Sequence, residues 1–171
     1  FRRPGIYWHM LPTQAQGRKV VWDGRTKDGR KVLDAWPEEV ITHRRNDEMK
    51  LELANGSLWQ VVGSDNYDSI VGSNPKGIVF SEWAIAAKPE AWEYFRPILA
   101  ENDGWAAFIY TPRGLNHGYS TYTMAMDNPE WFCELQTVDD TWGRGGTMSP
   151  EKVQAEREAG MSELAVQQEF Y

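Results

Sequence analysis

A single cysteine among 171 residues leaves no internal disulfide to be made. Cys133 fits a reducing cytoplasm and reads as a small buried hydrophobe rather than a nucleophile. No apolar run approaches the roughly 18 residues that a membrane-crossing helix needs, which excludes a helical membrane protein. Phe1-Arg2-Arg3-Pro4-Gly5 lacks the apolar stretch of a secretory signal. His9, His43 and His117 show no metal-ligand spacing among themselves or with Cys133, so no metal site is expected. Internal repeats, low-complexity tracts and an inter-domain linker are also missing, and residues 1–171 read as one domain. What is present is globular: 41% hydrophobic and 25% charged residues suffice for one real core.

The net charge of −7 conceals a division. Residues 1–31 carry Arg2, Arg3, Arg18, Lys19, Arg25, Lys27, Arg30 and Lys31 against Asp23 and Asp28, a balance of +6, and the rest of the chain stands at −13. Such asymmetry marks either a solvated basic face or an edge that meets an acidic polymer.

Periodicity gives the elements. Ile6–Leu11 is an aromatic and β-branched run closed by Pro12, hence a strand. Val20, Val21, Val32, Leu33 and Trp36 have helix-compatible spacing, with Gly24 and Gly29 as breaks and Pro37 as the end. Met49–Leu53 and Leu58–Val62 alternate about Asn55-Gly56, whose positive φ angles predict a tight hairpin. A turn-rich loop, Gly63–Asp68, follows. Gly77–Phe80 and Trp105–Tyr110 are continuous apolar runs of the kind buried on both faces of a parallel sheet, and Trp131–Leu135 is a third strand candidate. Helices are expected over 89–99, 115–126, from Ser149-Pro150-Glu151 to Gly160, and from Ser162 onward. Nine Trp and seven Tyr lie mostly inside these elements, which favours core packing over a stacking platform. The alternation predicts an α/β domain, a mainly parallel sheet flanked by helices.

In such sheets ligands bind beyond the carboxyl ends of the strands. One buried strand ends in Ser81-Glu82 and another in Thr111-Pro112-Arg113-Gly114. An apolar strand delivering an acid has the form of a Walker B element, whose acid activates the attacking water. A hydroxyl at Thr111 can sense a γ-phosphate, and Arg113 can meet phosphate or a neighbouring carboxylate. No phosphate-cradling loop is present: Gly24-Arg25-Thr26-Lys27-Asp28-Gly29-Arg30-Lys31 has Arg for the Lys, Lys for the hydroxyl and no preceding strand. Asp65, Asp68 and the pair Asp139-Asp140 read as turn formers.

The order of these pieces resembles the ATPase domain of the large terminase subunit of tailed phages. The resemblance runs through Trp8-His9-Met10-Leu11-Pro12-Thr13 with Gln16-Gly17-Arg18-Lys19, Asn55-Gly56-Ser57 and Gly63–Ser69. It continues through Val79-Phe80-Ser81-Glu82, Pro89–Glu93, Arg96–Leu99, Thr111-Pro112-Arg113-Gly114 and Thr137–Thr141. It implies a P-loop NTPase domain of the RecA/ASCE type, incomplete at the N-terminus, whose Walker A loop lies upstream of Phe1 and whose nuclease domain lies downstream of Tyr171.

Under that resemblance Glu82 matches the catalytic acid and Thr111 the coupling residue. Ser81 stands where many members carry a Mg²⁺-associated Asp, and Ile70-Val71-Gly72 stands where an Arg is frequent. Ser81 and Arg113 would face the nucleotide. The implied cofactors are ATP and Mg²⁺ in the full-length protein, and no protein-held metal cluster. The implied partners are double-stranded DNA, the portal protein, the small terminase subunit and sister subunits of a ring, in the host cytoplasm. The isolated fragment is expected to have negligible ATP turnover. The competing readings are a prophage-derived assembly module without catalysis and a helicase-type translocase fragment.

Overall fold

The computed structural model describes residues 3–171, so Phe1 and Arg2, the first of the basic residues, lie outside it. The chain divides into two compact units, 1–110 and 111–171.

The first unit is a six-stranded sheet with flanking helices. Its strands are β1 (Ile6–Leu11), β2 (Ile41–Arg45), β3 (Lys50–Leu53), β4 (Leu58–Gly63), β5 (Pro75–Ser81) and β6 (Trp105–Ile109), in the order β2-β3-β4-β1-β5-β6. β4, β1, β5 and β6 run parallel, and β2 and β3 add an antiparallel edge. The expected α/β architecture, mainly parallel and flanked by helices, is therefore present.

β1 lies at the centre and its alternation separates two cores. Tyr7 and Leu11 face Val21, Trp22, Leu33, Leu51, Trp59 and Val61. Trp8 and Met10 face Ile78, Phe80, Phe95 and Leu99. The first layer is closed by the short helix α1 (Gln14–Gly17), which continues directly into a wide π-type turn, Arg18–Trp22. Thr13 caps α1 by accepting from the Gln16 N–H at 3.1 Å. Gly17 permits the helix to lie on β4, because a Cβ there would stand 2.6 Å from Val61 Cγ1. α2 (Glu90–Glu101) covers the second layer through Ala91, Phe95 and Leu99.

Several elements differ from the sequence reading. The helical spacing expected from Val20 to Trp36 breaks after Trp22. Residues 25–31 form a small ribbon, Arg25 bridging Lys31 with Gly29 at a positive φ, before a single 3₁₀ turn at Val32–Ala35. In the turn of the hairpin, positive φ is confined to Gly56 and does not extend to Asn55: the Gly56 N–H donates to Leu53 O at 2.8 Å, and Leu53 N–H to Ser57 O at 2.9 Å, a turn closed by a glycine bulge. The loop after β4 winds into successive 3₁₀ turns over Ser64–Ile70. β6 is not buried on both faces: it is the edge of the described sheet, with Trp105 46% and Ile109 61% exposed.

The second unit contains α3 (His117–Met126), α4 (Val138–Thr141), α5 (Pro150–Glu158) and α6 (Glu163–Phe170). Its core is Val138, Val153 and Val166 with Met148, Met161, Phe170 and Tyr171 against them. Asn116, Ser149 and Ser162 cap α3, α5 and α6, and Gly160 ends α5 at φ +100°. Trp131–Leu135 is not a strand. Its apolar run is real, but among the described residues this unit contains no strand to pair with, and Phe132 and Leu135 stay exposed. Cys133 is half-buried rather than buried.

Candidate functional site

The parallel strands bring their carboxyl ends to one rim. Leu11 is in register with Gly63 and Met10 with Phe80, so the chain leaves β1, β4 and β5 side by side. The first two exits are stitched together. Asp65 N–H donates to Pro12 O at 3.1 Å, Ser64 Oγ donates to the same carbonyl at 3.2 Å, and Asp65 Oδ1 accepts from the Gln14 N–H at 3.2 Å. Asp65 is therefore a turn former, and the Pro12-Thr13 corner is held rigidly.

The third exit is Ser81-Glu82. β5 is buried through Ile78 and Phe80, and the apolar run stops at Ser81, its last residue. Glu82 is exposed and has φ +56° and ψ +36°, a left-handed conformation that costs an L-residue of order 1 kcal/mol or more. Trp83, Ala84 and Ala86 follow as buried anchors, so the strained residue is clamped between β5 and a packed 3₁₀ turn at Trp83–Ile85. Strain held at a solvent-facing carboxylate is the pattern of a functional position.

Ser81 is not alone. On β1, His9 faces the same side of the sheet, and its Nε2 lies 2.7 Å from Ser81 Oγ. His9 borders a cleft of about 360 Å³ whose other walls include Val21, Leu33, Trp36 and Trp59. The Trp59 ring approaches His9 edge-on at 6.4 Å. Burial pushes the imidazole pKa below its ordinary value, so the ring is neutral at pH 7. Sequence reasoning treated His9 only as a failed metal ligand. The missed signal was its core-facing position between Tyr7 and Leu11.

The other candidate residues lie in the second unit. Thr111, half-buried, is its first residue, two positions after β6 ends in register with Ser81. Arg113 has a carboxylate partner: Nη1 is 2.8 Å from Glu169 Oε1 on α6. Asp140 accepts from both Thr137 N–H and Thr137 Oγ1, at 2.9 and 2.8 Å, which makes it a helix-end residue. The Gly24–Lys31 string is a ribbon with Arg30 paired to Asp28 at 2.7 Å, not a phosphate cradle. Of the basic residues, Arg18 turns to Asn46 O and Asp47 O and Arg25 to Gly29 O, while Lys19, Lys27 and Lys31 are exposed. Among the described residues no three of His, Cys, Asp and Glu converge as metal ligands, and no helix is long and apolar enough to cross a membrane.

Comparison with known proteins agrees with this picture. No family model matches the chain. Over 95 residues it is 38% identical to the large terminase subunit of Escherichia phage T5, a match covering 53% of this chain and 22% of that protein. The chain therefore aligns with about a fifth of that relative. Among solved structures, the large terminase ATPase domain of Thermus phage P74-26 superposes with TM-score 0.64 at 24% identity, over 99% of this chain and 77% of that one. A point mutant of the same domain superposes with TM-score 0.72 at 20% identity over the same shares. The large terminase of another thermophilic bacteriophage, solved in complex with ADP, gives TM-score 0.61 at 15% identity over 95% of this chain and 39% of that one. In sequence over half its length the chain resembles the large terminase subunit of a phage, and nearly its whole length has the fold of solved large terminase ATPase domains.

Proposed function

We propose that this chain supplies the water-activating wall of an ATP-driven DNA-packaging motor, acting within a longer large terminase subunit. The observation that supports this most directly is Glu82: an exposed carboxylate in a strained conformation at the rim of a parallel sheet, one residue beyond a strand buried at Ile78 and Phe80. In this role the carboxylate takes a proton from water as the water oxygen attacks the γ-phosphorus and the bond to the β-phosphate oxygen breaks, releasing ADP and phosphate. Ser81 and Glu82 offer one hydroxyl and one carboxylate, a donor set suited to a magnesium ion that keeps most of its water. When bound, that ion neutralises charge building on the phosphates. Thr111 is assigned to coupling hydrolysis to movement. Arg113 is assigned to phosphate once it leaves Glu169.

Contact with double-stranded DNA is assigned to exposed basic side chains of the first 31 residues, Lys19, Lys27 and Lys31 among them. The portal protein, the small terminase subunit and sister subunits of a ring complete the assembly, in the host cytoplasm.

The test is ATP hydrolysis by the longer protein. Glu82→Gln should lower turnover by about 10²–10⁴-fold while leaving Mg-ATP affinity unchanged. Unchanged turnover would overturn the assignment. Absence of nucleotide binding would favour a non-catalytic assembly module. The 171-residue chain alone should show negligible hydrolysis.

A further inference from the structure

We propose that His9 is a positioning residue for Ser81: the Ser81 hydroxyl donates its proton to His9 Nε2, which fixes Oγ with both lone pairs available at the rim beside Glu82. The inference rests on the reading of Ser81-Glu82 as the water-activating end of β5, and it explains how a serine can stand where a carboxylate is usual.

The geometry comes from the sheet. β1 and β5 are parallel neighbours with His9 in register with Val79, so Ser81 lies one same-face position further toward the rim. The imidazole leans forward along the strand direction and closes the 2.7 Å contact. The Trp59 ring stands across it at 6.4 Å, and the cleft it borders is otherwise lined by apolar groups, among them Val21 and Leu33. An imidazole in such surroundings presents one bare nitrogen, and Nε2 is the nitrogen aimed at the hydroxyl.

The chemistry follows from how a hydroxyl differs from a carboxylate. A carboxylate offers its lone pairs in any rotamer and carries its own charge. A serine hydroxyl rotates freely and spends its oxygen's electron density wherever its proton points. Donation into a fixed nitrogen removes the rotation and raises electron density on Oγ, so the oxygen becomes a better acceptor for a metal-bound water. His9 thus provides through one hydrogen bond part of what an aspartate provides through charge.

Two measurements on the chain as it stands test this without nucleotide. In the first, long-range ¹H–¹⁵N correlation of the histidine rings should show His9 Nε2 unprotonated. Ser81→Ala should then move its resonance toward that of an unbonded nitrogen, with the β1 amide spectrum retained. A protonated Nε2, or no shift on Ser81→Ala, would overturn the proposal.

In the second, Mn²⁺ is titrated and paramagnetic broadening is read at the Ser81 and Glu82 amides. His9→Leu should weaken the apparent Mn²⁺ affinity about 10-fold. His9→Gln, whose amide reaches the place of Nε2, should restore most of it, and in a Ser81→Asp background His9→Leu should have little effect. Equal affinity in wild type and His9→Leu, or no broadening at Ser81 in wild type, would overturn the role. The ring spectrum addresses the pair itself, whereas the Glu82→Gln turnover comparison addresses the parent reading, so the two can fail separately.

Discussion

Between Ile6 and Tyr110 the chain buries aromatic-rich layers on both faces of a sheet. Between Thr111 and Tyr171 three valines form the buried centre, and short helices are fixed at their ends by Ser149, Ser162 and the Thr137–Asp140 contact. Phe80 alone meets Phe108 in a stack at 4.8 Å and Trp83 and Trp92 edge-on at 5.2 and 5.9 Å. In the second unit the corresponding work is done at chain ends and turns, with Arg157 on Glu163 at 3.0 Å and over the Tyr171 ring. Burial is roughly proportional to apolar area, while each cap or exposed pair contributes about 1 kcal/mol or less. The difference teaches that the sheet can bear a strained residue such as Glu82, whereas the helical unit has little reserve.

The largest effect that would sharpen this contrast is expected from Phe80→Ala, which should cost about 3–5 kcal/mol in urea denaturation followed by tryptophan fluorescence. Val153→Ala, the corresponding deletion in the second unit, should cost about 1.5–3 kcal/mol, read by amide exchange of α5 and α6. Equal losses at the two sites would break the comparison. Ser149→Ala should cost about 1 kcal/mol and raise exchange in the first turn of α5. An unchanged first turn would mean that Pro150 alone sets the helix start.

The smallest effect is one of pH, and its sign is the same in both units. Burial holds His9 below its ordinary value of 6.5, so the unfolded chain binds the proton first and the first unit weakens as pH falls from there toward the folded value. Asp140 is held low by the Thr137 N–H and then its hydroxyl, and Glu163 by Arg157 and then Gln167. Stability from these two carboxylates is present above their ordinary values near 4 and is lost as pH falls through the folded ones. Residue-resolved exchange at pH 7, 5 and 3 should show β1 responding in the first interval and α4 and α6 in the second. A response of α4 above pH 5 would contradict the assignment.

Most of what the sequence made legible was local. Alternation and a turn glycine identify the β3–β4 hairpin, a continuous apolar run identifies β5, and Ser-Pro-Glu with Gly160 delimits α5, because each signal is written within a dozen residues. β2 was missed because Ile41–Arg45 is an edge strand without alternation, held by its ladder to β3 and by Arg45 on Glu52 and Glu48. β6 looked doubly buried because its residues are apolar. Its Trp105 ring instead lies over Gly77, where a Cβ would stand 2.5 Å from the indole. Trp131–Leu135 is apolar enough for a strand, but among the described residues its unit contains no other strand, which no local pattern can reveal.

The site divides in the same way. Ser81 and Glu82 were legible as the end of a strand. His9, 72 residues away in sequence, joins them only because β1 and β5 are neighbours in the sheet, and the left-handed turn at Glu82 has no signature in its own side chain.

Gly17 carries a final consequence. The Val61 methyl it faces belongs to a fully buried, β-branched residue that cannot swing aside. A side chain at position 17 therefore displaces a neighbour: Gly17→Ala should push α1 away from β4 and disturb the stack of Trp22 on Trp59, 6.4 Å distant. The absence of one methyl group governs where the polypeptide goes after β1, and with it where the lysines of the following ribbon can reach.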